Sequence, residues 1–257
     1  MKALEIAGLL KKKSPVHYAC DWDNVGMHIG HDDNEITKIL VTVDVDDEAV
    51  RTAIKENADM IVSHHPFIFR GIKQINDDSP LGRNVMTLIE NGINVFCMHT
   101  NYDVMGGMGA AAADRLGMKT TGPVDEVCDG EGIGRIGELP KTFTIGELCG
   151  VIKEKFGLDK VVLYGDENAS AHVAAICPGS GKEYIDKVIS MGAQVYITGD
   201  VTYHCGIEGA QKGLNIIDAG HYGIEHIFID EISKFLSDNV SGVQIIKMPL
   251  NDPRKFI

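Results

Sequence analysis

The chain has no CxxC pair and only one tryptophan, and no apolar run approaches the ~20 residues needed to span a bilayer. Its six cysteines (Cys20, Cys97, Cys128, Cys149, Cys177 and Cys205) are scattered. Scattered thiols in a chain of this length fit a reduced cytosolic protein better than a disulfide framework. The opening residues Met1-Lys2-Ala3-Leu4-Glu5-Ile6 lack the layout of a secretory signal. These absences together predict a soluble cytoplasmic protein. Basic residues are also in deficit: 24 Lys and Arg against 37 Asp and Glu give a net charge of −13. Such a surface disfavours nucleic acid and anionic membrane as partners, though a local pocket can still take a phosphate. Apolar residues at 44% and charged residues at 24% are ordinary globular usage, and 257 residues suffice for one large domain or two modest ones.

What is present reads as alternating strands and helices. Lys2 to Lys13 carries apolar residues at helical spacing and stops at Ser14-Pro15. Ile39-Leu40-Val41-Thr42-Val43, Asp59-Met60-Ile61-Val62-Ser63 and Ile93-Asn94-Val95-Phe96-Cys97-Met98 are strand-like runs separated by helical segments. Thr121 to Gly137, rich in Gly, Asp and Glu, reads as loops with edge strands. Phe143 to Phe156 reads as a helix, with Thr144 and Glu147 at capping-box spacing. A second strand–helix–strand–helix–strand series follows, with strands at His172 to Ile176, Gln194 to Thr198 and Leu214 to Asp218. Helical crossovers imply parallel pairing within each series. The expected fold is therefore α/β, with two similar βαβ-based halves related by a pseudo-twofold and facing one metal-containing cleft. The halves are placed at residues 1–120 and 121–257, with no domain inserted mid-chain.

Polar residues gather where these strands end, which is where open α/β sheets collect ligands. His64-His65-Pro66 follows the second strand, and His99-Thr100-Asn101-Tyr102-Asp103 follows the third. His221 and Glu225, four residues apart behind Gly220, follow the last strand of the second series. On a helix that spacing places both on one face. Imidazole and carboxylate together suit Zn, Mn or Fe. Each pair also has a plain alternative: a surface His near a Glu, one buried His bonded to a carbonyl beside one exposed His, or Asp103 as a helix cap. His99 reads as a ligand or as a residue orienting one. Asp200 and His204, in Gly199-Asp200-Val201-Thr202-Tyr203-His204, read as groups orienting substrate or ligands, or as a simple cap. Trp22, amid polar residues, lines a pocket or marks a structural turn. Gly106-Gly107-Met108-Gly109 could offer amides to an anion but matches neither the Walker nor the Rossmann fingerprint.

Taken together, Trp22-Asp23-Asn24-Val25-Gly26, Ser63-His64-His65-Pro66, His99 to Asp103, Gly199-Asp200 with Tyr203-His204, and Gly220-His221-Tyr222 with Glu225 resemble the NIF-three-like dinuclear metal family, also labelled GTP cyclohydrolase I type 2 homologues. The resemblance implies two divalent ions per chain. His65 and Asp103 would hold one, His64 and His221 the other, with Glu225 bridging. It also implies a homohexamer built as a trimer of dimers. Met27-His28 stands where many relatives carry Leu-Gln.

The expected function is a metal-dependent hydrolase of nucleotide-like substrates with metal-activated water as nucleophile. His99 and His204 are the candidate proton-transfer groups, and Asp200, Tyr203 and Asn101 the candidate substrate-side or supporting residues. A non-catalytic metal-binding scaffold acting through protein partners is the alternative. No base-stacking aromatic or triphosphate cradle is visible in the sequence.

Overall fold

The computed structural model describes residues 1–105 and 107–255. The backbone divides into two compact units: Met1–Tyr102 with Phe228–Asn251, and Asp103–Ile227 with Asp252–Ile257. Gly106, within the glycine-rich stretch, lies outside the described residues.

The first unit holds a five-stranded sheet in the order Gly26–Ile29, Asn94–Cys97, Met60–Ser63, Lys38–Thr42, Gln244–Lys247. The last four strands pair in parallel, and Gly26–Ile29 runs antiparallel at one edge. Met60–Ser63 and Asn94–Cys97 are buried at every position, and Lys38–Thr42 at all but its first. Continuous burial explains why these runs are apolar without alternation, as in a parallel sheet covered on both faces. The crossovers are helices with readable ends. Asp46 caps Asp47–Glu56 by accepting from the Ala49 amide, and Ser79 caps Pro80–Glu90 through the Gly82 amide.

The second unit holds a six-stranded sheet in the order Lys119–Gly122, Arg135–Thr144, Ser170–Ser180, Val195–Gly199, Asn215–Asp218, Val162–Tyr164. Ser170–Ser180, Val195–Gly199 and Asn215–Asp218 pair in parallel, and the flanking strands are antiparallel. Each unit thus contains three consecutive, neighbouring parallel strands, matching the strand series read from the sequence. The helix Ile145–Phe156 carries the expected capping box, with Thr144 Oγ1 accepting from the Glu147 amide at 3.2 Å and Glu147 from the Thr144 amide at 2.9 Å.

Two expectations are corrected. The stretch read as loops and edge strands runs into Arg135–Thr144, an inner strand paired on both sides. Its exposed polar positions and Pro140 hide it, and it includes Phe143, which the sequence assigned to the following helix. The boundary at residues 120 and 121 also differs from the observed units. Residues 228–251 return to the first unit because Gln244–Lys247 pairs with Lys38–Val41, and the fully buried Phe228 packs on Tyr102 at 5.4 Å. Replacing Thr144 with Ala removes one half of the cap and is expected to cost about 1 kcal/mol in urea unfolding, with Glu147 substitutions adding little on top.

Candidate metal centre

In the first unit, pairing outlasts the Met60–Ser63 strand. The His64 amide donates to the Thr42 carbonyl at 3.2 Å and the His65 amide to the Val43 carbonyl at 2.9 Å. Both backbones are therefore held by the sheet before Pro66 turns the chain. His64 is fully buried, with Nδ1 2.9 Å from the Met98 carbonyl oxygen. His65 Nδ1 lies 2.7 Å from Asp44 Oδ1, and His99 Nδ1 lies 2.9 Å from Asp23 Oδ1. The three rings stand 5.1 to 5.7 Å apart, and one ligand nitrogen from each lies within 4.8 Å of the other two.

The oxygen partners decide which nitrogen is offered. A carbonyl or carboxylate oxygen only accepts, so each neutral ring donates from Nδ1 and keeps its lone pair on Nε2. Three imidazoles therefore present acceptor nitrogens to a common neighbourhood, oriented by the oxygens behind them, as in metal sites. Asp23 is held especially firmly. Its side chain is fully buried and also accepts from the Thr100 hydroxyl at 2.5 Å and amide at 3.0 Å. Burial alone would raise its pKa, but the hydrogen bond and charge of His99, with the Thr100 donors, outweigh burial and hold the carboxyl down to about 2.

In the second unit, His221 opens the short helix His221–Glu225 directly after Asn215–Asp218. Asp218 ties the turn, accepting from the Gly220 amide at 2.8 Å and the Val201 amide at 2.9 Å. His221 Nδ1 lies 2.8 Å from Asp200 Oδ2, and its Nε2 lies 2.9 Å from Oε2 of the buried Glu225. The backbone comes unusually close here. A Cβ on Gly199 would sit 2.5 Å from the His221 amide nitrogen, and one on Gly179 would sit 2.3 Å from Glu225 Oε1. Gly179 and Gly220 also have φ of +74° and +80°, a region glycine enters without cost.

The remaining sequence candidates divide clearly. Asp103 lies in the helix Thr100–Val104, not in a loop. Asn101 is buried; its Oδ1 accepts from the His99 amide at 3.0 Å and its Nδ2 donates to the Ser14 carbonyl at 2.8 Å. It therefore positions His99 through the backbone. Tyr203 and His204 are exposed and contact each other's rings at 5.4 Å, and no hydrogen bond joins His204 to Asp200 or His221 among the described residues. Asp23 and Asp44 were missed as imidazole partners. Asp44 follows the first strand directly, so the strand-end rule that found His64 and His99 would have found it too.

The sequence profile described as Duf34/NIF3 (NGG1p interacting factor 3) matches residues 1–253. The chain belongs to the NIF3 family. A Clostridium perfringens relative named GTP cyclohydrolase 1 type 2 homolog is 35% identical over 265 aligned residues, covering 100% of each chain. A Lactococcus lactis relative of the same name is 36% identical, covering 91% of each. Among solved structures, a Staphylococcus aureus hypothetical protein superposes with a TM-score of 0.92 at 26% identity, covering 100% of this chain and 99% of the other. Reduced HcgD from Methanocaldococcus jannaschii gives 0.86 at 27%, covering 97% and 98%. The NIF3 fold is therefore shared along nearly the whole chain, and no helix among the described residues is long and apolar enough to cross a membrane.

The depressed pKa of Asp23 predicts an acid-sensitive contribution to stability. A group whose folded pKa is lowered stabilises fully above its unfolded value of 3.8 and loses that contribution as pH falls toward about 2. Asp23→Asn is expected to lose roughly 2 kcal/mol at pH 6 and to approach the parent protein's stability near pH 2, as read by denaturant unfolding at both pH values.

Proposed function

We propose that this NIF3-family chain is a dinuclear metal-dependent hydrolase of nucleotide-like substrates, with His64, His65, Asp103, His221 and Glu225 as its metal ligands. The observation that carries the reading is the cluster of His64, His65 and His99, whose Nδ1 atoms are tied to oxygen so that Nε2 is the nitrogen offered, together with His221 set 2.9 Å from the buried Glu225 carboxylate. The donor set fits the ions. Neutral imidazoles backed by carboxylates, with a buried glutamate beside one of them, suit Zn, Mn or Fe. These five residues would hold the ions between them, with Glu225 as the buried carboxylate of the set. When bound, such a pair supplies Lewis acidity that acidifies water and polarises a substrate oxygen.

The chain's own residues supply the rest. Asp44 and Asp200 fix the ring orientations of His65 and His221. His99, backed by the ionised Asp23, is poised to accept and release a proton at Nε2. His204, exposed beside Tyr203, would join in proton transfer only from the substrate side. The names of the curated relatives, GTP cyclohydrolase 1 type 2 homolog, support a nucleotide as the substrate class. The protein would work as a cytoplasmic homohexamer.

Metal analysis of the purified protein is expected to give two ions per chain. His65→Ala and Glu225→Gln should each lower that content, and hydrolysis of a nucleotide panel by the Zn-, Mn- or Fe-loaded protein should vanish with it. Full metal occupancy with no turnover of any nucleotide would favour a binding scaffold and overturn the enzymatic reading. Asp44→Ala and Asp200→Asn should weaken metal affinity by roughly 10- to 100-fold while leaving the fold intact, measured by competition with a chromophoric chelator.

A further inference from the structure

Trp22, the chain's single tryptophan, is 61% exposed, and Phe69 beside it is 46% exposed. Their rings meet edge to face at 5.9 Å and 67°. The same indole meets the His99 ring at 6.0 Å and 74°. Trp22 thus stands exposed against the His99 ring, with the exposed Phe69 ring packed on it. Exposed apolar surface of this kind, set beside a polar centre, contributes nothing to folding and marks a recognition surface.

The surrounding backbone is pinned. Asp23, the next residue, has a fully buried side chain, and its amide donates to the Cys20 carbonyl at 2.9 Å. The Cys20 amide donates to Thr100 Oγ1 at 2.9 Å. Asn24 Nδ2 donates to the Ile68 carbonyl at 2.5 Å, and the Ile68 amide donates to His28 Nδ1 at 3.1 Å. Hydrogen bonds therefore tether the chain beside both rings and tie the Trp22 loop to the Phe69 segment. That is the preorganisation a binding surface needs to avoid an ordering cost. The segment also carries Arg70 and Lys73, both exposed and without an ion pair among the described residues, in a chain with a net charge of −13.

We infer that Trp22 and Phe69 form a stacking platform for a planar heteroaromatic ring of the substrate, held beside the nitrogens of His64, His65 and His99. The inference rests on the proposed metal site and adds to it the ring that the substrate must carry. A heteroaromatic ring stacks on an indole face whatever its hydrogen-bonding edge, so the platform sets the class of ring rather than one base. Arg70 and Lys73 supply local positive charge for an anionic substituent on that ring, such as a phosphate.

Because Trp22 is the only tryptophan, its emission reports this position alone. The full-length protein as isolated is titrated with GMP, AMP and nicotinamide mononucleotide, with ribose 5-phosphate as a ringless control. At least one ring-bearing probe is expected to quench emission saturably, and ribose 5-phosphate to leave it unchanged. By calorimetry, Trp22→Ala should weaken that probe roughly 10-fold or more, and Trp22→Phe by no more than about 3-fold. Flat emission with all three nucleotides would overturn the inference, as would equal quenching by ribose 5-phosphate. So would a Trp22→Ala protein that keeps its nucleotide affinity but sediments as a smaller species, since the rings would then be covered by a second copy of the chain. Metal content is measured on the same samples. A platform that fails in protein holding two ions leaves the metal reading standing. Quenching in protein that takes up no metal separates the platform from that reading.

Discussion

An imidazole offers one lone pair, and the partner of its other nitrogen decides where that lone pair points. His64, His65, His99 and His221 all commit Nδ1 to an oxygen; in the first three this leaves Nε2 as the lone-pair nitrogen, while His221 Nε2 faces the Glu225 carboxylate at 2.9 Å. The partners are not equivalent. His64 leans on a neutral backbone carbonyl, whereas His65, His99 and His221 lean on carboxylates, which make an imidazole a more basic donor. Those carboxylates also place negative charge behind the rings. A cation would offset that charge and lower the cost of gathering it.

Cys97 lies in the strand ending just before His99, and burial pushes its thiol up to about 11, against the lowering effect of the Ser63 hydroxyl and the Phe67 amide. Cys177, fully buried, is likewise pushed up by burial, with Asp103 and Glu225 adding like-charge repulsion. In the second unit the main constraint is closeness of the backbone. Gly179 and Gly199 let the backbone approach Glu225 and His221 to distances that no side chain permits. The site is therefore shaped by missing Cβ atoms as much as by the groups that face it.

Much of this was legible from local patterns. The three parallel strands of each unit are continuous apolar runs, and strand-end position marked His64, His99 and His221. The capping box at Thr144 and Glu147 was readable because both partners lie within one helical turn. The strand Arg135–Thr144 was not, since its inner position depends on two neighbours that its own composition does not reveal. Residues 228–251 join the first unit through pairing with a strand some 200 residues earlier, which no local window contains.

The sequence by itself determined the strand ends and the donor types placed there, because strand burial and side-chain chemistry are local properties. Only the tertiary structure decided which oxygen stands behind each imidazole, and therefore which nitrogen is offered. Asp23 reaches His99 across 76 residues and Asp44 reaches His65 across 21, distances over which sequence spacing carries no geometric information. The exposure of Trp22 was settled in the same way. The buried side chain of Asp23 and the tether from Asn24 to Ile68 hold the indole at the surface, in a turn.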